Sequence, residues 1–296
     1  MKVLLPAPAK INLHLLVTAI RDDGMHELDT SFAYTDICDE LEIETCDSLK
    51  VSCSNPHLSG EKNLVFKLLD AFREQYGITR GLSLHIIKRI PEQAGLGGGS
   101  SDAATALLAA NHIWGANRPL QELITFATPF GADIPCFLYG RASWAHGGIG
   151  EKLYDYPNPL PQRALLLVWP GMGLATSEVF RHFDHDIHTG HRTLTQSGAV
   201  DTIRADSVSL GRNDLEGSAC KLSPEVSQLL YRLRNYSETV WMSGSGSTCI
   251  ALFDDDEQAR AASERLKMQN PTFWTFVGSM QSRHPLEQKY WDVAKR

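Results

Sequence analysis

The sequence predicts a two-domain protein of the α+β class. Its 296 residues are enough for two domains of ordinary size. Strand-like segments alternate with amphipathic helices along most of the chain, and the proline-rich stretch at residues 156–161 has the composition of a linker. We therefore expect one domain over residues 1–160 and a second over residues 161–296.

Composition and charge exclude several classes of protein. Hydrophobic residues make up 43% of the chain and charged residues 21%, as in globular proteins. The net charge of −7, with no long basic patch, argues against nucleic acid as a partner. No apolar run approaches the ~20 residues that span a bilayer, and no leader pattern precedes the first strand. The six cysteines lack metal-binding spacing, which favours reduced thiols in a cytoplasmic protein without a membrane partner.

The first half of the chain predicts strands followed by helices. Residues 10–20 alternate apolar and polar side chains, which predicts a half-buried strand with Lys10 and Asn12 on the face opposite the apolar row. A helix should run to Tyr76, with Asn63 at its start and Gly77 at its end. The other predicted elements are strands at 39–46, 49–53 and 82–88, helices from Ala103 and over 120–128, and a hairpin over 142–154.

The second half predicts a different arrangement. Strands are expected at 164–169, 239–242, 248–253 and 273–278, and helices at 176–183, 224–233 and 256–267. The order strand, helix, strand–turn–strand, helix, strand is typical of a ferredoxin-like sandwich. Residues 184–211 are polar and weakly patterned, so we expect this segment to be partly mobile.

A glycine-rich loop joins a predicted strand to a predicted helix. Four of the five residues in Gly95–Gly99 are glycine, so the backbone can approach a ligand closely. The loop leads into a helix N-terminus, whose free N–H groups and dipole suit phosphate. A plain tight turn, the alternative, would need only one glycine. The loop lacks the lysine of a Walker motif, and it lacks the third glycine and the ribose-binding acid of a dinucleotide site.

This loop resembles the phosphate loop of the GHMP kinases, the family of galactokinase, homoserine kinase and mevalonate kinase. Pro8–Leu13 and Met242–Thr248 resemble the family's first and third motifs in order and spacing. The resemblance implies a GHMP kinase fold, with an N-terminal ribosomal-protein-like α/β domain that binds ATP and a ferredoxin-like C-terminal domain. It implies Mg²⁺ with the nucleotide, although the sequence identifies no protein ligand for the metal. The implied ATP-binding residues are Pro91, Gly95, Leu96, Gly97, Gly98, Gly99, Ser100, Ser101 and Asn63. For Asn63 the alternative is a purely structural role as a helix cap.

The resemblance implies that Lys10 and Asp133 form the catalytic pair. A kinase holds a phosphoryl group in line with an acceptor hydroxyl, neutralises charge and removes one proton. Asp133 could accept that proton, and Lys10 could keep Asp133 ionised and stabilise the transferred oxygens. From the residues alone, Asp133 as a turn residue and Lys10 as an exposed strand lysine would be equally reasonable.

The acceptor side resembles one member of the family in particular. Residues 23–28 and 131–135 are similar to a member whose acceptor carries a cytidine diphosphate group. That likeness implies substrate contacts by Asn12, Met25, His26 and Phe180, with His26 at the base edge, Phe180 over one face, and Met25 in place of the usual tyrosine. We therefore expect a monomeric or homodimeric kinase that phosphorylates the 2-hydroxyl of a cytidyl substrate with ATP, in isoprenoid precursor synthesis. The alternatives are a sister kinase that acts on homoserine or mevalonate, and a catalytically silent relative that senses a ligand.

Overall fold

A computed structural model describes residues 2–195 and 210–286 of the chain. Residues 196–209, half of the segment predicted to be partly mobile, lie outside the described residues. The start of that segment is helical, because a helix predicted to end at Phe183 continues to His188.

The first domain is built on a seven-stranded sheet. Two long antiparallel strands, β1 and β2, form its centre, and β4 and β5 pair with opposite halves of β2. The last short strand, β11, returns to β2, so the end of the described chain packs on the first sheet. The strands are β1 (Lys2–Ile20), β2 (His26–Cys46), β3 (Lys50–Cys53), β4 (Gly81–Ile87), β5 (Ser143–His146), β6 (Leu153–Asp155) and β11 (Met280–Gln281).

The two central strands differ from their predictions. β1 is not half-buried, because Ile11 and Leu13 pack in a core shared with the second sheet while Lys10, Asn12 and His14 on its other face are also enclosed. β2 begins at His26 rather than near residue 39. Polar side chains interrupt the apolar alternation there, which is why the sequence pattern does not reveal the strand.

Four helices belong to the first domain: α1 (Leu64–Tyr76), α2 (Gly98–Ile113), α3 (Leu120–Ala127) and α4 (Ile134–Tyr139). The prediction for α1 is confirmed, with Asn63 as cap and Gly77 in the left-handed conformation at its end. α2 begins more than a turn before the predicted Ala103, so the glycines form its first turn. Helix α4 was not predicted; Pro135 lies in its first turn, where proline is tolerated.

The second domain contains a four-stranded antiparallel sheet in the order β10-β7-β9-β8. This order confirms the predicted ferredoxin-like topology. Its strands are β7 (Ala164–Trp169), β8 (Thr239–Met242), β9 (Cys249–Phe253) and β10 (Trp274–Gly278), and its helices are α5 (Thr176–His188), α6 (Glu216–Leu222), α7 (Pro224–Leu233) and α8 (Asp256–Gln269). Helix α6 was not predicted, and the boundary at residue 160 stays a prediction. Within the described ranges, no helix is both long and apolar enough to cross a membrane.

Candidate active site

A cleft of about 740 Å³ lies where the two domains meet. The first domain contributes the glycine loop, the start of α2 and side chains from β1 and β2. The second domain contributes the start of α5 and the loop after β8. Among the predicted site residues, those that line the cleft are Lys10, Asn12, Asn63, Pro91, Gly95, Gly97, Gly98, Gly99, Ser100, Asp133 and Phe180.

The glycines of the loop differ in what a side chain at each position would meet. Gly95 has a φ of +76°, and a Cβ there would lie 2.3 Å from the carbonyl oxygen of Ser243. Gly97 has a φ of +69°, and its Cβ would lie 2.9 Å from the Phe137 ring. A Cβ at Gly99 would meet nothing within 4 Å. The first two glycines therefore permit close packing, and the third leaves the first turn of α2 open to the cleft.

Hydrogen bonds join the three sequence motifs into one structure. Ser243 Oγ donates to the Gly95 carbonyl oxygen at 3.0 Å and accepts from the Asn12 N–H at 3.3 Å. The Lys10 N–H donates to the Leu96 carbonyl oxygen at 2.9 Å. Asn213, which sequence reasoning missed, donates from Nδ2 to the Gly244 carbonyl oxygen at 2.8 Å. The loop after β8 thus fixes the glycine loop against β1.

Lys10 and Asp133 meet in the cleft. Lys10 Nζ lies 3.4 Å from Asp133 Oδ1 and donates to Asn12 Oδ1 at 2.8 Å. The lysine side chain is 4% exposed, whereas that of Asp133 is 37% exposed. Asn12 Nδ2 in turn donates to Thr30 Oγ1 at 2.8 Å, and Thr30 also lines the cleft. The arrangement holds an ammonium group in a fixed position beside a carboxylate that a ligand can reach.

The predicted base-binding residues are only partly brought together. The His26 and Phe180 rings pack with centroids 4.4 Å apart, and the edge of Phe183 lies nearby at 6.3 Å. His26 Nε2 is 2.6 Å from Asp184 Oδ1, a partner that sequence reasoning missed. Met25 lies in the β1–β2 turn with 46% exposure, outside the cleft lining, so its contact with a base stays a prediction.

Three other predicted residues have mainly structural contacts. Leu96 is buried in the apolar core and is not among the residues that line the cleft. The Ser101 side chain is fully buried inside α2, away from the cleft lining. Asn63 lines the cleft, but its side-chain Oδ1 accepts from the Val65 N–H at 2.8 Å and its Nδ2 donates to the Leu58 carbonyl oxygen at 2.6 Å. The helix-cap role of Asn63 is therefore observed, and the adenine role stays a prediction.

A buried charge cluster behind the glycine loop was also missed. Lys88 Nζ donates to Asp102 Oδ2 at 2.8 Å and also contacts Asp39. Burial raises the pKa of Asp102 to about 7, against the attraction of Lys88, and the second carboxylate adds to that rise. Asp39 also accepts the main-chain N–H of Ile90 at 2.9 Å, so it fixes the strand end from which the loop starts. The three partners come from distant segments, so no local pattern reveals the cluster.

Comparison with known proteins identifies the family. The sequence model for the GHMP kinases N terminal domain matches residues 63–141, and that for the GHMP kinases C terminal matches residues 193–271. A protein of Alcanivorax borkumensis named 4-diphosphocytidyl-2-C-methyl-D-erythritol kinase is 35% identical, over 97% of this chain and 94% of its own. A protein of the same name from Halorhodospira halophila is 36% identical, over 98% of this chain and 97% of its own. The chain belongs to the GHMP kinase family. The predicted family is confirmed.

Solved structures agree with the GHMP kinase fold. A crystal structure titled 4-(cytidine 5'-diphospho)-2C-methyl-D-erythritol kinase is 35% identical, with a TM-score of 0.75 over 95% of this chain and 99% of that one. A mevalonate kinase of L. major is 15% identical, with a TM-score of 0.70 over 95% and 97% of the two chains. This second likeness concerns the fold alone.

Proposed function

We propose that this GHMP kinase transfers the γ-phosphoryl group of ATP to the 2-hydroxyl of 4-diphosphocytidyl-2-C-methyl-D-erythritol, a step in isoprenoid precursor synthesis. The observation that carries the proposal is that Lys10 and Asp133 meet beside the glycine loop in a cleft that also holds Phe180. The names of the relatives at 35–36% identity support the substrate.

Asp133 is the group that we assign to the acceptor proton. The acceptor oxygen forms a bond to the γ-phosphorus while the bond to the bridging oxygen of ADP breaks, and the hydroxyl proton passes to the carboxylate. The 37% exposure of Asp133 supports contact with a ligand. Lys10, 3.4 Å away, pairs with that carboxylate and stabilises negative charge on the oxygens in transfer.

The glycine loop is the group that we assign to the ATP phosphates. The N–H groups at the start of α2 have no partner within the helix, and the helix dipole favours an anion there. The open space at Gly99 gives the phosphates access to those groups. Leu96 and Ser101 then act by supporting the loop rather than by touching the nucleotide.

Magnesium would arrive with the nucleotide. Among residues 2–195 and 210–286, no group of three histidine, cysteine or acidic side chains could hold a metal ion. Mg²⁺ commonly binds through phosphates and water plus one or two carboxylates, and Asp133 and Asp102 are carboxylates that line the cleft. When bound, the ion would neutralise phosphate charge. Six free cysteines support a cytoplasmic location, and a monomer or homodimer stays our expectation.

The test is ADP release with a panel of acceptors. The purified chain with ATP and Mg²⁺ should turn over the cytidyl alcohol and leave homoserine and mevalonate almost unused. Preference for homoserine or mevalonate would assign the chain to a sister activity. No turnover with any acceptor, despite measurable ATP binding, would indicate a silent relative.

A further inference from the structure

The side-chain amide of Asn213 is held in one orientation. Its Nδ2 group donates to the main-chain oxygens of Met242 at 2.7 Å and Gly244 at 2.8 Å, and its Oδ1 accepts from the Leu215 N–H at 2.9 Å. A flipped amide would turn its oxygen toward two carbonyl oxygens, which can only accept hydrogen bonds. Both hydrogens of the amide are therefore committed to the loop after β8.

Asn213 is itself anchored to the strand that carries Lys10. The Leu15 N–H donates to the Arg212 carbonyl oxygen at 2.9 Å, and the Leu15 carbonyl oxygen accepts from the Asp214 N–H at 2.8 Å. These two bonds hold the residues on both sides of Asn213 against β1. The amide therefore fixes the loop after β8 relative to Lys10.

The peptide unit between Gly244 and Ser245 lies beside the proposed reacting groups. A Cβ at Gly244 would lie 3.5 Å from Lys10 Nζ, and both residues of the peptide line the cleft, whereas Asn213 does not. In a trans peptide the carbonyl oxygen and the next N–H point in opposite directions. With the Gly244 oxygen held toward Asn213, the Ser245 N–H is directed to the cleft side. Within the described part of the chain, this N–H forms no hydrogen bond.

We propose that Asn213 is a positioning residue that orients the Ser245 N–H toward the phosphoryl group in transfer. The proposal rests on the proposed function, which places that transfer beside Lys10. The migrating group carries negative charge on its oxygens, and a fixed N–H donor stabilises such charge without having to reorganise. The Ser245 side chain is also held, because its Oγ lies 2.9 Å from Thr176 Oγ1 at the start of α5. Contacts to both residues of the peptide therefore fix the donor.

The variant Asn213→Asp keeps the size of the side chain and removes both amide donors. Its carboxylate would face the Met242 and Gly244 oxygens, so the peptide should turn and the Ser245 N–H should leave its position. We expect kcat to fall ~10–100-fold at about pH 8, since outright loss of one donor to a transition-state oxyanion costs about 10²–10³. The KM for the cytidyl acceptor and the Kd for ADP should change by less than about twofold, because the donor acts in the transition state.

The pH profile separates positioning from a general loss of structure. In Asn213→Asp, the carboxyl group can donate to the Gly244 oxygen once it is protonated, so kcat relative to the wild type should recover as the pH falls from about 8 to about 6. In Asn213→Ala, which has no titrating group at this position, kcat should be lowered by the same factor at both pH values.

The matched control is Asn235→Asp, the same change in the same domain. The Asn235 amide also donates to a main-chain oxygen, that of Tyr231 at 3.4 Å, but it is exposed and lies outside the cleft lining. Its kcat should equal that of the wild type at both pH values.

A direct readout is the nitrogen-15 resonance of the Ser245 main-chain amide, assigned by serine labelling and Ser245→Ala. The probe is ADP with Mg²⁺ and aluminium fluoride, a mimic of the phosphoryl group in transfer. The resonance should shift when the probe is added to the wild type, and the shift should be absent in Asn213→Asp.

The outcomes separate this inference from the proposed function. A normal kcat in Asn213→Asp, a loss of kcat that is matched by a loss of ADP binding, or no recovery at low pH would each overturn the inference. An unshifted Ser245 resonance in the wild type would overturn it as well. Failure of the wild type to phosphorylate the cytidyl alcohol would instead reject the proposed function, and the Ser245 resonance would still decide whether Asn213 positions the donor.

Discussion

The two ends of the cleft are built by different means. At the end where we propose that the phosphates bind, the surface is formed by backbone, and glycines at 95 and 97 are needed because a Cβ would strike Ser243 or Phe137. At the end where we propose that the base binds, the surface is formed by side chains: Phe180 lines the cleft and packs on His26, which is hydrogen-bonded to Asp184. Backbone sites depend on a contiguous motif, whereas side-chain sites depend on contacts between distant segments.

This difference explains why the two ends vary in how well the sequence reveals them. At Gly95 and Gly97 a Cβ would clash with neighbouring atoms, so these two positions of the loop require glycine and the sequence motif reveals them. At the proposed base end, the contacts are made between side chains, and Met25 in the turn after β1 is exposed. Substitutions should therefore have severe effects near the phosphate end and graded effects near the base end.

The largest expected effect is at the point where the two ends meet. Asp133→Ala removes the group that we assign to the acceptor proton, and kcat should fall by roughly 10²–10⁴ with little change in the KM for ATP. Steady-state kinetics measures this directly. Asp254→Ala, at an acid with 81% side-chain exposure, serves as the control and should retain normal turnover. A near-normal kcat in Asp133→Ala would show that this carboxylate is not catalytic.

The next prediction compares two glycines of the same loop. Gly95→Ala adds a Cβ 2.3 Å from a carbonyl oxygen at a positive φ, and should lower the free energy of unfolding by ~2–3 kcal/mol. Gly99→Ala adds a methyl group in open space, so stability should not fall while the KM for ATP rises. Urea unfolding and ATP kinetics on both variants test this. Equal losses of stability in the two variants would show that Gly95 and Gly99 do not differ in role, with Gly95 needed for packing and Gly99 for ligand access.

At the base end, Met25→Tyr should lower the KM for the cytidyl substrate severalfold. An aromatic ring stacks on a base by ~1–3 kcal/mol, more than methionine gives through sulfur. The gain requires the turn side chain to fold over the bound base, since Met25 is 46% exposed in this structure. An unchanged or higher KM would mean that position 25 does not contact the base.

The smallest effect concerns the charge cluster behind the loop. Because burial raises the pKa of Asp102 to about 7, the folded state binds a proton more tightly than the unfolded state does. The contribution of Asp102 to stability is therefore highest at low pH, declines as pH rises between about 4 and 7, and is constant above that. Asp102→Asn removes this decline.

The stability of Asp102→Asn relative to the wild type should consequently rise by ~1–2 kcal/mol between pH 6 and pH 8. Urea unfolding at both pH values measures the difference, and other titrating groups cancel in the comparison. A difference that does not change with pH would mean that Asp102 is already ionised at pH 6.

Much of the fold could be predicted from local pattern. Four elements have the predicted bounds: α1, β7, α7 and β8. Their signals, which are caps, glycines and apolar periodicity, are local in the sequence. The first part of β2 was missed because Asp29, buried and bonded to His14 at 2.6 Å, gives a polar pattern that only a distant partner explains. The start of α2 was missed because glycine is a poor helix former, and only packing requires it there.

The candidate site was predictable to a similar degree. The glycine loop, Lys10 and Asp133 follow from motifs, and the structure brings them into one cleft. The sequence could not predict the site residues that act through contacts between segments far apart in the chain. These are Asp184, Thr30, Asn213 and the Lys88 cluster.

The central claim is that both ends of the cleft serve one reaction, and a truncated acceptor tests it most directly. The rate of ADP release should be compared between the full cytidyl alcohol and the same polyol 4-phosphate without its cytidine group. If the base end contributes binding energy to the transition state, kcat/KM should be ~1000-fold higher for the full acceptor. Similar values of kcat/KM for the two acceptors would contradict the account.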